Sequence, residues 1–290
     1  MGTAVIDAHQ HVWQLHRFAY RWIRPDSPLY GDYLPEAARA EMEAAGVDAC
    51  LLVEADNSFA ETAWLLELAG SQEHVGGVVG WADLLAPEAP ATLGAYAENP
   101  LFKGVRLTWL EPREDWEAVA GQLGMLVKPG LSCDLRLSPR AFSQVAAVIA
   151  RNPDVTFILD HFAGADLTKV SPDLWAANLR PLAELPNVVM KVSGYLTMAP
   201  APPLTPDDLD SFLEQALALF GAERLMFGSD WPVCTRYGAS YGDALALLRA
   251  VIDPLSLDEQ AAILGGTAAR VYRLTPASAG ASALPLPGEG

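Results

Sequence analysis

The sequence predicts a single (β/α)8 TIM barrel, and three observations support this fold. Eight short β-like runs alternate with longer helical stretches over about 270 residues, the usual size of the fold. Several runs are apolar throughout, as expected of strands that are covered on both faces. No glycine-rich phosphate loop follows the first run, which disfavours the main alternative, a doubly wound open sheet.

The candidate strands are short runs rich in branched apolar residues. They are predicted at residues 4–9, 49–55, 76–82, 104–110, 131–137, 155–161, 188–194 and 224–230. Polar and ionisable residues collect at their carboxyl ends. In a parallel barrel the active site forms at those ends, so this pattern places a functional site there.

The candidate helices carry recognisable start and stop residues. They are predicted at 35–46, 58–70, 88–98, 113–125, 138–151, 172–184, 206–220, 241–252 and 256–272. The first has a proline near its start and a glycine at its end. Ser58 with Glu61, and Ser256 with Glu259, have the spacing of a capping box. The Trp- and Tyr-rich segment 12–34 is predicted to be an insertion over the barrel mouth.

Residues 1–274 are predicted to form one domain, because no linker is visible in mid-chain and the length stays within the range of a single core. Residues 275–290 are rich in Pro, Ala, Gly and Ser and are predicted to be a flexible tail.

Composition excludes several classes of protein. The net charge of −17 disfavours nucleic acid as a partner, although a site with its own cations could still bind a small anion. Three widely spaced cysteines, Cys50, Cys133 and Cys234, do not make a disulfide framework. No signal peptide and no apolar run of about 20 residues is visible, so we expect no membrane span and a cytoplasmic location.

The first candidate strand ends in His9-Gln10-His11. Because strand side chains alternate with period two, both imidazoles are expected on one face, at the barrel mouth. Two neutral imidazoles there suit a divalent transition metal, and they could equally donate hydrogen bonds to a carbonyl oxygen. The alternative is a pair of surface histidines in a loop.

Two further strands end in candidate catalytic residues. His161 follows the sixth strand, and its alternative role is a helix-start histidine bonded to backbone. Asp230 follows the eighth strand, in GSDWP. Its carboxylate could ligate a metal, take a proton from water, or do both; the alternative is a helix N-cap. The three strand ends together are more specific than any one of them.

Five residues are candidates for binding substrate: Glu54, Arg106, Trp109, Tyr195 and Arg236. Arg106 is the most informative, because a charged residue in an apolar strand needs a partner and a guanidinium suits a carboxylate or hydroxyl. Lys191 and Ser193 lie in the seventh strand as supporting candidates.

Six motifs in order resemble the amidohydrolase-2 family. HQHVW, FKGVRLTW, ILDHFAG, MKVSGY, GSDWP and ILGGTAARVY are similar to its lactonase branch, which includes L-fuconolactone and L-rhamnonolactone hydrolases and 2-pyrone-4,6-dicarboxylate lactonases. The resemblance covers about residues 4–273. It implies a barrel of the amidohydrolase type that hydrolyses a cyclic ester.

The resemblance also implies site residues. His9, His11 and Asp230 would bind one divalent ion, with zinc the first candidate; His161 matches the family's later histidine, and Asp230 the base that activates water. Metal-dependent members usually carry histidines after strands 5 and 6, but the fifth strand here, LSCDLRL, has none. Catalysis without a metal therefore stays open.

The expected activity is the opening of a sugar or carboxylated lactone, with a sugar aldonolactone favoured, which would place the protein in carbohydrate metabolism. The alternatives are a metal-dependent decarboxylase of an unsaturated or aromatic acid, and a non-catalytic binder of sugar acids. The sequence leaves open whether the chain forms a homo-oligomer.

Overall fold

The computed structural model describes residues 4–197 and 205–274. Eight parallel strands pair in chain order, which confirms the predicted (β/α)8 barrel. The strands are β1 Ile6–Gln10, β2 Ala49–Val53, β3 Val75–Trp81, β4 Phe102–Trp109, β5 Ser132–Leu137, β6 Phe157–Leu159, β7 Val188–Val192 and β8 Leu225–Phe227.

The first and last strands meet just beyond their carboxyl ends. The Asp230 amide donates to the His9 carbonyl at 2.9 Å, and the His11 amide donates to the Trp231 carbonyl at 2.7 Å. These two bonds bring the barrel close to full closure. They also tie two of the predicted site segments to each other through the backbone.

The helices occupy the predicted stretches with shorter bounds. They are α1 Pro35–Ala45, α2 Phe59–Gly70, α3 Ala89–Ala97, α4 Trp116–Gln122, α5 Phe142–Ala150, α6 Pro172–Ala183, α7 Pro206–Phe220, α8 Tyr241–Ile252, α9 Leu257–Ala261 and α10 Thr267–Val271. A π turn at Ala262–Gly266 divides the predicted final helix into α9 and α10.

The two predicted capping boxes have different outcomes. At α9, Ser256 and Glu259 bond to each other's backbone amides, as predicted. At α2 the Ser58 side chain accepts from the Glu61 amide, but the Glu61 carboxylate does not return the bond. It accepts instead from the amides of Ala55 at 3.0 Å and Asp56 at 2.7 Å, and so supports the loop after β2.

Side-chain alternation in β1 is broken by a bulge. Ile6 and Ala8 pack with the residues that fill the barrel interior, so strict alternation would send Gln10 inward and both histidines outward. The register against β2 shifts between Asp7 and Gln10. This irregularity re-aims the strand end, and both His9 and His11 face the interior.

The segment 12–34 lies beside the barrel mouth. Trp13 and Tyr33 form an antiparallel bridge at its base, and the Trp22 indole donates to the Ala55 carbonyl at 2.8 Å. Trp22 contributes to the lining of the cavity at the mouth, in agreement with the predicted insertion.

The three cysteines are free and buried. Across the described ranges, no helix combines the length and apolarity that crossing a membrane requires. The predicted tail, 275–290, lies outside the described residues.

Candidate active site

A cavity of about 420 Å³ opens where the strands end. His11 follows β1, Glu54 follows β2, His161 follows β6 and Asp230 follows β8, and all four line it. This is the end of a (β/α)8 barrel at which catalytic residues gather.

His9, His11 and Asp230 point donor atoms at one another. Nε2 of His9 lies 3.1 Å from Nε2 of His11, and the two nitrogens lie 3.8 and 3.5 Å from Oδ1 of Asp230. Ligands that share one tetrahedral zinc ion are about 3.4 Å apart, given bond lengths near 2.1 Å. The donor set and its spacing therefore fit a single divalent ion.

His161 completes this group, called the histidine–aspartate cluster below (His9, His11, His161, Asp230). Its Nε2 lies 3.9 Å from Oδ1 of Asp230, and its Nδ1 is hydrogen-bonded to Oγ of Ser193 at 2.9 Å. Its ring stands edge-on to that of His9, with centroids 4.4 Å apart.

The backbone that carries His161 is a left-handed turn. Residues His161, Phe162, Ala163 and Gly164 have φ of 55°, 49°, 56° and 73°. Left-handed backbone costs about 1–2 kcal/mol for each residue with a Cβ atom. Gly194 leaves the room for the imidazole, since a Cβ atom there would lie 2.7 Å from the His161 Cβ. The sequence-based alternative, a histidine at a normal helix start, is therefore wrong.

Asp230 is held in place by its neighbours and caps no helix through its side chain. The preceding Ser229 donates its amide to Oδ1 of Asp7 at 2.8 Å and its hydroxyl to Oδ2 at 2.5 Å. Asp7 also accepts from the His9 amide at 3.0 Å and the Tyr241 hydroxyl at 3.0 Å. Asp7, which sequence reasoning missed, thus fixes the ends of β1 and β8 together.

The protonation states of the cluster follow from burial and from two buried cations, Lys191 and Arg106. Burial lowers the pKa of His161, and burial together with the Lys191 charge lowers that of His9 well below its ordinary value, so both rings are neutral at neutral pH. Burial alone would raise the pKa of Asp230, but His161, His11 and Arg106 lower it below its ordinary value. Because His161 is neutral, the permanent charge that favours the Asp230 carboxylate is Arg106.

Arg106 is buried between two carboxylates. Its Nε donates to Oδ2 of Asp160 at 2.7 Å, and its NH1 approaches Oε1 of Glu54 at 3.5 Å. Burial would lower the pKa of the guanidinium, but Asp160 and Glu54 raise it. The sequence predicted that Arg106 needs a partner, and the structure gives it two carboxylates. The Arg106 side chain also lines the cavity wall.

A second buried cation lies beneath the cluster. Nζ of Lys191 is 2.5 Å from Oδ2 of Asp134, 3.1 Å from Oδ1 of Asp160 and 3.1 Å from Nδ1 of His9. The Tyr272 hydroxyl donates to the same Asp134 oxygen at 2.6 Å. These side chains connect β5, the residue after β6, and β7 with Tyr272, which follows α10.

Two predicted substrate-binding residues lie behind the cavity wall, and that expectation needs correction. Arg106 and Thr108 line the cavity, so alternation turns Trp109 outward, where its indole donates to Gln144 on α5 at 2.8 Å. Tyr195 is buried and donates its hydroxyl to the Ala244 carbonyl on α8 at 2.6 Å. Glu54, Arg106 and Arg236 line the cavity.

Sequence reasoning missed Arg136, which also lines the cavity. The signal was present: Asp134 and Arg136 alternate with apolar residues in β5, so both side chains point to the barrel interior, where Asp134 is buried and Arg136 is exposed at the mouth.

Imidazoles and an ionised carboxylate gathered at the carboxyl ends of barrel strands are the arrangement of an enzyme active site in a (β/α)8 barrel. A family model described as "Amidohydrolase" matches residues 6–274. The chain belongs to this amidohydrolase family, as its motifs predicted.

Two curated relatives have a named activity. An L-fucono-1,5-lactonase of Burkholderia multivorans is 37% identical over 291 residues, with 94% of this chain and 97% of the relative covered. An L-fucono-1,5-lactonase of Burkholderia ambifaria is 31% identical over 281 residues, with 94% and 96% covered.

A solved structure with zinc bound is also similar. It is an amidohydrolase from Burkholderia multivorans, 36% identical, with a TM-score of 0.85, and the match covers 94% of this chain and 100% of that one. A putative 2-pyrone-4,6-dicarboxylic acid hydrolase from Pseudomonas putida has a TM-score of 0.72 at 24% identity over 94% and 98% of the two chains, and supports the fold alone.

Proposed function

We propose that this chain hydrolyses a lactone, with a sugar aldonolactone as the favoured substrate. The observation that carries the proposal is the Asp230 carboxylate, ionised and within 3.9 Å of three imidazoles at the base of the cavity. The two relatives named L-fucono-1,5-lactonase support both the reaction and the substrate class.

A divalent metal ion, zinc by the chemistry of the donors, would be held by His9, His11 and Asp230, and when bound it would polarise the lactone carbonyl. The zinc-bound relative supports this assignment. Without a metal, the His161 imidazole, whose Nδ1 is hydrogen-bonded to the Ser193 hydroxyl, can donate a hydrogen bond from Nε2 to the carbonyl oxygen.

Asp230 acts as the general base. It takes a proton from water, and the water oxygen attacks the carbonyl carbon of the lactone. The ring C–O bond then breaks as the tetrahedral intermediate collapses, and Asp230 returns the proton to the leaving alkoxide. The product is an open-chain hydroxy acid, equal to the lactone plus one water.

The rest of the cavity wall orients the substrate. Glu54 accepts hydrogen bonds from substrate hydroxyls, and burial, opposed by Arg106, raises its pKa. Arg136 and Arg236 line the wall, and within the described residues neither has a carboxylate within ion-pair distance. Their free donors suit hydroxyl and ring oxygens, or the carboxylate formed on ring opening.

The test is a panel of lactones assayed for acid release with a pH indicator, with and without a chelator. We expect turnover of aldonolactones, and the chelator arm reports metal dependence. Assays for CO₂ release from unsaturated and aromatic acids run alongside. Turnover of an acid with CO₂ release and no lactone hydrolysis would identify the alternative, a decarboxylase; a bound sugar acid without any turnover would identify a binder.

Arg136→Met and Arg236→Met are each expected to raise KM for the best lactone by about tenfold or more, because a hydrogen bond from a charged donor contributes about 1.5–3 kcal/mol. Steady-state kinetics measure the effect. Arg249→Met, an exposed arginine on α8, is the control and should leave KM unchanged. An unchanged KM in both cavity variants would rule out their contact with substrate.

A further inference from the structure

Lys191 is fully buried in the barrel, and the hydrolytic mechanism does not use it. Its ammonium has three N–H donors, and three acceptors lie within 3.1 Å: Oδ2 of Asp134, Oδ1 of Asp160 and Nδ1 of His9. A lysine buried this completely in a protein interior is costly unless it is paired and hydrogen-bonded. Its third contact, to Nδ1 of His9, bears on which nitrogen of that ring carries the proton.

The hydrogen-bond partners of His9 and His11 determine which ring nitrogen of each histidine carries a proton. Nδ1 of His11 lies 2.9 Å from the Val53 carbonyl, which can only accept, so this nitrogen carries the proton and Nε2 of His11 is bare. Nε2 of His9 lies 3.1 Å from that bare nitrogen and so carries a proton itself. Nδ1 of His9 is then an acceptor, which matches the Lys191 ammonium 3.1 Å away.

A proton on Nε2 of His9 opposes metal binding at the cluster. A metal ion needs bare Nε2 atoms on both histidines, so the His9 proton would have to move from Nε2 to Nδ1. There it would face the Lys191 ammonium. An acceptor for it is at hand: Oδ1 of Asp160 lies 3.3 Å from Nδ1 of His9, and among the described residues its other close polar contact is the Lys191 ammonium, which is an ion pair at 3.1 Å.

We propose that Lys191 is a positioning residue that holds His9 as the Nε2–H tautomer and thereby lowers the affinity of the cluster for a divalent metal ion. Asp160 favours the opposite, metal-binding tautomer, as carboxylates behind zinc-bound histidines do. The proton only changes nitrogen, and none is released to solvent. The inference rests on the ligand assignment in the proposed function, but its tests do not read hydrolysis, so the two can fail separately.

The first experiment uses the unaltered protein. Nitrogen-15 NMR of the histidine rings, with His9→Gln as the variant that assigns the His9 signals, reports which nitrogen carries the proton. We expect Nε2–H for His9 in chelator-treated protein and Nδ1–H after Zn²⁺ is added. A proton on Nδ1 of His9 in the metal-free protein would overturn the proposal.

The second experiment measures Zn²⁺ affinity by competition with a chromophoric chelator. Lys191→Met combined with Asp134→Asn removes one buried charge of each sign, and the new amide can still accept from Tyr272. We expect the dissociation constant for Zn²⁺ to fall by about 10–100-fold, the usual size of effects from residues behind the ligands. Lys169→Met, an exposed lysine, should change nothing.

An affinity equal to that of the unaltered protein, in a double variant with a native circular-dichroism spectrum, would contradict the proposal. If the double variant does not fold, the NMR result on the unaltered protein decides alone.

Discussion

Asp230→Asn is expected to slow lactone hydrolysis by about 10²–10⁴-fold, the usual loss when a positioned general base is removed. The amide cannot take a proton from water, although its shape matches that of the carboxylate. Asparagine also tolerates the left-handed backbone at this position, where φ is 59°. The fold should therefore survive, and kcat together with a thermal melting curve measures both effects.

The control for this substitution is Asp210→Asn, the same chemical change on the exposed face of α7. It should leave both kcat and the melting temperature as they are. Wild-type turnover by a folded Asp230→Asn protein would show that another group activates the water.

Arg106→Met is expected to lower the free energy of unfolding by about 3–5 kcal/mol, the cost of breaking a buried ion pair from one side. Asp160 is fully buried, and the Glu54 side chain is only 4% exposed, so the loss of Arg106 leaves charge that water cannot reach. Lys191 still pairs with Asp160 and limits the damage there. Urea denaturation at neutral pH measures the change.

Arg113→Met is the matched control, since Arg113 donates two hydrogen bonds to Asp115 but both side chains are at least 40% exposed. Exposed pairs contribute about 0–1 kcal/mol. An Arg106→Met protein as stable as the Arg113→Met protein would mean that Glu54 and Asp160 become protonated or hydrated at little cost.

The barrel could be predicted because its signal is local. Most strands are short, largely apolar runs and several helices begin on a capping residue, so the alternation of eight units is visible without any long-range contact. His9, His161 and Asp230 were predictable for the same reason, since each lies at the end of such a run.

The residues that hold the site together depend on contacts between distant segments. Asp7 accepts from Tyr241, 234 positions away, and Asp134 accepts from Tyr272, 138 positions away. No pattern within one strand reveals these pairs. The shared face of His9 and His11 was predicted from alternation, but it also needs the bulge in β1, which the sequence does not show.

Trp109 shows the opposite error. Trp109 lies at the end of the strand that carries the cavity residue Arg106, and a tryptophan side chain suits a pocket wall. The two residues are three positions apart, however, so their side chains point to opposite faces of the strand. Side chains alternate in a regular strand, so alternation counted from Arg106 predicts that Trp109 points outward.

The left-handed turn under His161 sets stability against activity. Glycine at position 163 would relieve about 1–2 kcal/mol of unfavourable backbone geometry, although it would also remove a fully buried methyl group and raise the entropy of the unfolded chain. The same change would make the backbone next to His161 more flexible, although the His161 imidazole must stay oriented toward the Asp230 carboxylate. Any stability gained by this substitution would come with slower turnover. Stabilising substitutions are better placed on surfaces remote from the barrel mouth.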